Sequence, residues 1–190
     1  MRIGIFGGSF DPPHVGHLLT ASDATEALAL DRLFWVPAGT QPLKAGLAQG
    51  SPAQRLAMVR LLVADEPRFA VDPVEIDRDG LSYTVDTVAA YAERYPDAER
   101  FLLVGADVLT SFDRWREPER IRQLATLVVL ERTVDGGSDP LVVPGAQRLA
   151  TRRVDVSSTE IRSRLAAGRS IHGFVPESVE RFIAAERLYR

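Results

Sequence analysis

Two uninterrupted apolar runs, Phe101-Leu102-Leu103-Val104 and Leu127-Val128-Val129-Leu130, set the strongest limit on how this chain can fold. A strand with one buried face alternates apolar and polar residues, whereas a run with no polar position must be covered on both sides. Such strands belong to a parallel sheet between helical layers. The rest of the chain fits that frame, because short β-rich runs alternate with segments of helical periodicity, as βαβ units require. Residues 2–6 and 32–36 read as strands, 70–72 and 74–76 as extended segments, and 15–28, 52–63 and 85–94 as helices, with a turn at Asp79-Gly80. In the first of these helices Val15, Leu18, Leu19, Ala27 and Leu28 form the predicted apolar stripe. A stretch rich in Gly, Pro and Asp, 133–146, reads as a surface loop, followed by a strand at 153–156 and helices at 158–167 and 177–186. The predicted architecture is an α/β fold, a doubly wound parallel sheet with helices on both faces, formed by residues 1–190 as one domain.

Composition narrows the partners. With 23 basic and 26 acidic residues the formal charge is −3, which argues against a broad basic face for nucleic acid. There is no Cys and there are three His, so neither a disulfide framework nor a dedicated protein zinc site is expected. Any metal should arrive with a phosphate ligand. No apolar stretch approaches membrane-spanning length and the first residues lack a signal-peptide core, so the expectation is a cytoplasmic protein with no membrane partner.

The chemistry concentrates in Gly7-Gly8-Ser9-Phe10-Asp11-Pro12-Pro13-His14-Val15-Gly16-His17. Gly7 and Gly8 directly follow the first strand, where the absence of Cβ lets backbone N–H groups approach a ligand. In parallel sheets ligands collect beyond these strand ends, near helix N-termini that favour anions. The spacing is neither G-x-G-x-x-G nor a Walker loop with its lysine. His14 and His17, three apart at a helix start, project from nearly one face and can donate hydrogen bonds to phosphate oxygens, while Gly16 between them would let a phosphate lie against the backbone. Far downstream, Ser157 and Glu160 have capping-box spacing, which predicts a second helix start with Arg162 in its first turns.

These two segments together resemble the nucleotidyltransferases that carry a His-x-Gly-His motif: Val156-Ser157-Ser158-Thr159-Glu160-Ile161-Arg162 is similar to their second signature, Ile-Ser-x-Thr-x-x-Arg. Nearly end to end, the chain is similar to the bacterial nicotinate-nucleotide adenylyltransferases. That resemblance implies a Rossmann-like fold and attack by a nicotinate mononucleotide phosphate on the α-phosphorus of ATP, with Mg2+ carried by the ATP phosphates. It implies catalytic roles for His17 and His14, and an ATP site that adds Gly7, Gly8, Ser9, Phe10, Gly16, Ser157, Ser158, Thr159 and Arg162. Gly105-Ala106-Asp107 matches the family's Gly-x-Asp, which places Gly105 and Asp107 at the adenosine. The mononucleotide would meet Lys44 through its phosphate, Thr84 through the pyridine carboxylate, and the Trp115-Arg116 segment, whose indole would stack on the cationic pyridine ring. The sequence departs from the common bacterial Pro-Pro-His-Lys at Pro42-Leu43-Lys44, with Leu43 where that His would be. Relatives that act on phosphopantetheine or a sugar-alcohol phosphate share the first motif, and nicotinamide mononucleotide is the alternative pyridine acceptor. A nucleotide-binding regulator that keeps the fold without turnover is the alternative from another class, against which His14, His17 and Arg162 argue.

Overall fold

The computed structural model of the protein describes residues 1–39, 49–106, 112–132 and 145–190. Six parallel strands, β1 (Arg2–Gly8), β2 (Arg32–Pro37), β3 (Phe69–Val71), β4 (Glu99–Gly105), β5 (Thr126–Arg132) and β6 (Gln147–Thr151), lie in the order β3-β2-β1-β4-β5-β6. The helices are α1 (Val15–Ala27), α2 (Pro52–Val63), α3 (Thr84–Arg94), α4 (Pro118–Leu124), α5 (Ser158–Ala166) and α6 (Glu177–Ala185).

Side-chain alternation along the strands divides the core in two. Ile3, Ile5, Phe34, Val36, Leu102, Val104, Leu127 and Val129 point to the face that α3 and α4 cover with Val85, Val88, Tyr91 and Ile121. Phe6, Leu33, Trp35, Phe101, Leu103, Val128 and Leu130 point to the other face, beneath Ala21 and Ala24 of α1, Met58 and Val59 of α2, Ile161 of α5 and Val179 of α6. The apolar runs of β4 and β5 are therefore buried on both sides, as their sequence requires. Chain direction across the sheet reverses between β1 and β4, and right-handed crossovers then put the helices of the two halves on opposite faces. That reversal opens a crevice at the carboxyl ends of β1 and β4.

Several local expectations are corrected. The buried face of α1 is built from Gly16, Ala21, Ala24 and Thr25; of the predicted stripe, Leu28 at the C-cap is in the core, Val15, Leu18 and Leu19 are partly buried, and Ala27 is exposed. The segment 74–76, expected to be extended, is a turn stitched by Ile76 N–H to Pro73 O. The last strand is β6 at Gln147–Thr151 rather than 153–156. Val154 and Val156 use their apolar alternation for packing instead: Val154 lies against Gly16, and Val156 joins the α1-side core. The short helix α4, with Ile121 as its one buried residue, carries too little periodicity to be read in advance. The expected 133–146 loop falls, apart from residues 145 and 146, outside the described residues.

Candidate active site

The segment that leaves β1 folds back on itself before entering α1. Phe10 has φ 49°, a left-handed conformation uncommon for a residue with a side chain, and the Asp11–Pro12 peptide is cis. This turn sends the Phe10 ring inward, where it meets Trp35 at 5.4 Å and Phe6 at 5.6 Å between centroids. Of the predicted ATP residues, Phe10 thus spends its side chain on the core. Gly7 is exposed.

His14 is the N-cap of α1 and only 3% exposed, while His17 is half-buried and so the better presented of the two. Their rings lie 3.7 Å apart at 33°, and Phe10 closes edge-on against His17 at 5.2 Å. The His14 backbone N–H donates to His17 Nδ1 at 3.3 Å, so a neutral His17 carries its proton on Nε2. Gly16 also has a packing role: a Cβ on it would come within 3.0 Å of His14 Nδ1 and 3.1 Å of Cε1. Its N–H has no acceptor among the described residues, whereas the neighbouring Val15 N–H is taken by Phe174 O.

The second signature meets the first directly. Ser157 caps α5 by accepting from Glu160 N–H at 3.1 Å, the forward half of the predicted capping box. That start places Ser158 Oγ to donate to Pro12 O at 2.8 Å and Arg162 Nη1 to donate to Asp11 O at 2.7 Å, across 146 and 151 residues of sequence. Arg162 Nη2 also donates to Thr159 Oγ1 at 3.3 Å. Ser158 and Arg162 therefore hold the histidine loop through its carbonyls, with Thr159 bonded to Arg162 beside them.

The predicted acceptor residues gather on the α3 side. Thr84 is the first residue of α3 and half-buried, and the N-cap is Tyr83, so the Thr84 hydroxyl does not cap the helix. The Arg116 guanidinium stacks over the Tyr83 ring at 4.8 Å, which joins the Thr84 and Trp115-Arg116 segments. Trp115 packs on Phe112 at 5.3 Å and remains partly exposed, so it is neither a core tryptophan nor a free one. Gly105 ends β4 at the crevice. Asp107 and Lys44 lie outside the described residues.

Sequence reasoning did not single out Ser82 and Glu75, which join the exit of β2 to α3. Ser82 Oγ donates to Glu75 O at 3.1 Å, and Thr87 Oγ1 donates to Glu75 Oε1 at 2.8 Å. Burial pushes the Glu75 carboxyl above the usual range, opposed by Thr87, the Gly39 amide, and the charges of Arg78 and Arg55. Among the described residues no group of three or more His, Cys, Asp and Glu is placed to hold a metal ion, and no helix is long and apolar enough to cross a membrane.

Paired histidines at one helix start, met by an arginine from another at the switch point of this sheet, are the arrangement of a nucleotidyltransferase. Residues 5–164 match the cytidylyltransferase-like family model. Two relatives are each named "Probable nicotinate-nucleotide adenylyltransferase". The one from Gemmatimonas aurantiaca is 53% identical over all of this chain and 93% of its own. The one from Thermus thermophilus is 46% identical over the full length of both. The chain belongs to the nicotinate-nucleotide adenylyltransferases. In fold it matches the Plasmodium falciparum nicotinic acid mononucleotide adenylyltransferase complexed with NaAD, with a TM-score of 0.80 at 18% identity over 99% of this chain and 97% of that one.

Proposed function

We propose that the protein transfers the adenylyl group of ATP to nicotinate mononucleotide, forming deamido-NAD and pyrophosphate in NAD biosynthesis in the cytoplasm. A phosphate oxygen of the mononucleotide bonds to the α-phosphorus, and the bond from that phosphorus to the bridging oxygen breaks, so pyrophosphate leaves with the electron pair. The acceptor is already anionic, so no protein nucleophile is needed and the protein's work is alignment and charge neutralisation. The observation that carries this reading is the direct contact of the two signatures through Ser158, Arg162, Pro12 and Asp11.

His17, with His14 behind it, and the Gly16 N–H would meet the α- and β-phosphate region, with Gly7, Gly8, Ser9 and Phe10 contributing backbone. Ser157, Ser158, Thr159 and Arg162 would hold the distal phosphates, and Gly105 and Asp107 the adenosine. The donors that surround this loop suit phosphate oxygens better than a bare cation, and Asp11, its buried carboxylate, is already occupied by Gln49, Gly50 and Tyr189. Mg2+ would therefore be held mainly by the phosphates, where it would neutralise their charge. On the acceptor side, Lys44 would take the mononucleotide phosphate, Thr84 the carboxylate, and Trp115 and Arg116 the pyridine ring.

Pyrophosphate release measured with ATP and a panel of acceptors tests the assignment: nicotinate mononucleotide should give the highest kcat/KM. Preference for nicotinamide mononucleotide, phosphopantetheine or a sugar-alcohol phosphate would overturn it. Trp115→Ala should raise KM for the mononucleotide about fivefold and leave KM for ATP within about twofold, since a cation over an indole is worth roughly 0.5–2 kcal/mol. Equal shifts in both would remove the stacking role.

A further inference from the structure

We infer that Asp11, Arg55 and Tyr189 form a buried clasp that positions the loop between β1 and α1 for ATP. The inference rests on ATP binding at that loop. Arg55 projects from α2 and is 3% exposed, and its guanidinium reaches three carbonyls from three parts of the chain. Nη1 donates to Ser9 O at 2.8 Å, Nη2 to Ala38 O at 2.7 Å and Nε to Gly50 O at 3.3 Å. Asp11, 4% exposed, collects three donors in return: Gln49 N–H at 2.8 Å on Oδ2, and Gly50 N–H at 2.9 Å and the Tyr189 hydroxyl at 2.6 Å on Oδ1. The packing leaves no slack. A Cβ on Gly50 would come within 2.8 Å of Asp11 Oδ1 and 3.0 Å of the Tyr189 oxygen.

Buried charges contribute little net stability over apolar packing of the same shape, and their better-attested use is to fix one arrangement among several. Such an arrangement is present here. The loop holds Phe10 in a left-handed conformation and must keep His14 and His17 in register, so it needs support from outside itself. Arg162 and Ser158 grip it through the Asp11 and Pro12 carbonyls. The clasp grips it through the Ser9 carbonyl and the Asp11 carboxylate. Tyr189 reaches Asp11 across 178 residues of sequence, from a backbone in the left-handed conformation at φ 63°. Burial and the Asp11 carboxylate both raise the Tyr189 phenol above its ordinary range, which keeps it a donor throughout the physiological range. None of the three side chains is assigned to substrate; they are positioning residues.

The full chain with Tyr189→Phe tests this by calorimetric titration with the α,β-methylene analogue of ATP and by steady-state kinetics. Loss of one buried hydrogen bond should weaken analogue binding and raise KM for ATP about fivefold, with KM for nicotinate mononucleotide held within about twofold. Arg55→Lys, which keeps charge but loses the fork, should act in the same direction and more strongly. If Arg55→Lys does not fold, Tyr189→Phe decides alone. Unchanged analogue affinity with a lowered melting temperature would overturn the inference, as would equal rises in both KM values. Analogue binding is read without an acceptor, so a wild-type protein inactive toward nicotinate mononucleotide would sink the proposed acceptor and leave the clasp testable.

Discussion

His17→Ala should lower turnover by about two to three orders of magnitude, with both KM values changed little. This is the scale of removing one preorganised donor from a site where charge grows in the transition state. The structure supplies the preorganisation. The His14 N–H occupies Nδ1, which leaves Nε2 to carry the proton, and the ring is wedged between Phe10 and His14, with its position set before substrate arrives. Because His17 is half-buried and carries no core packing comparable to Phe10 or Trp35, the melting temperature should fall by no more than a few degrees. Rapid-quench measurement of the transfer step, with melting followed by circular dichroism, separates the two effects. Turnover within threefold of wild type would remove His17 from the mechanism.

How much of this was legible in the sequence depends on whether the determinants are local. The apolar runs of β4 and β5 announce strands covered on both faces, because burial on each side leaves no place for a polar residue. The two signatures are short segments whose residue types are dictated by a helix start and a tight loop, so they read out directly. Position of the last strand did not. Both 147–151 and 153–156 can extend, and the choice follows from which residues align with Val128 to Arg132 of β5 and from the need for Val154 beside Gly16. The clasp was equally invisible. Arg55 sits in a helix whose other buried residues, Met58, Val59, Leu62 and Val63, are all apolar, whereas arginine ordinarily marks a solvated face, and Tyr189 gives no local sign of a partner 178 residues away. Asp11 could have raised suspicion, since a carboxylate inside a phosphate-facing loop would repel the ligand unless it were turned away and engaged elsewhere. The Trp115 contact with Phe112 was not legible, because stacking on a ligand and packing on Phe112 both require a flat apolar side chain.

Arg162→Lys should lower kcat/KM for ATP by about two orders of magnitude, and Arg162→Met by about a further tenfold. Two functions are lost in sequence. The Arg162 fork donates to the Asp11 carbonyl and the Thr159 hydroxyl, both uncharged, so its positive charge is available to a polyanion while its geometry holds the loop. Lysine keeps the charge but cannot span both acceptors and still present a planar donor pair to phosphate, a geometry worth roughly 1.5–3 kcal/mol when one partner is charged. Methionine fills similar space with neither. The graded loss, Arg above Lys above Met, is therefore the signature of a residue that both aligns the loop and neutralises the leaving pyrophosphate. A purely structural role would give another pattern, with melting temperature falling across the series and kcat/KM unchanged wherever the protein stays folded. Equal activity for Lys and Met would show that the charge is not used. With Ser158→Ala as partner in a double-mutant cycle, the two grips on Asp11 and Pro12 should be non-additive, because either loss frees the same loop. Strict additivity would place Arg162 at the phosphates alone.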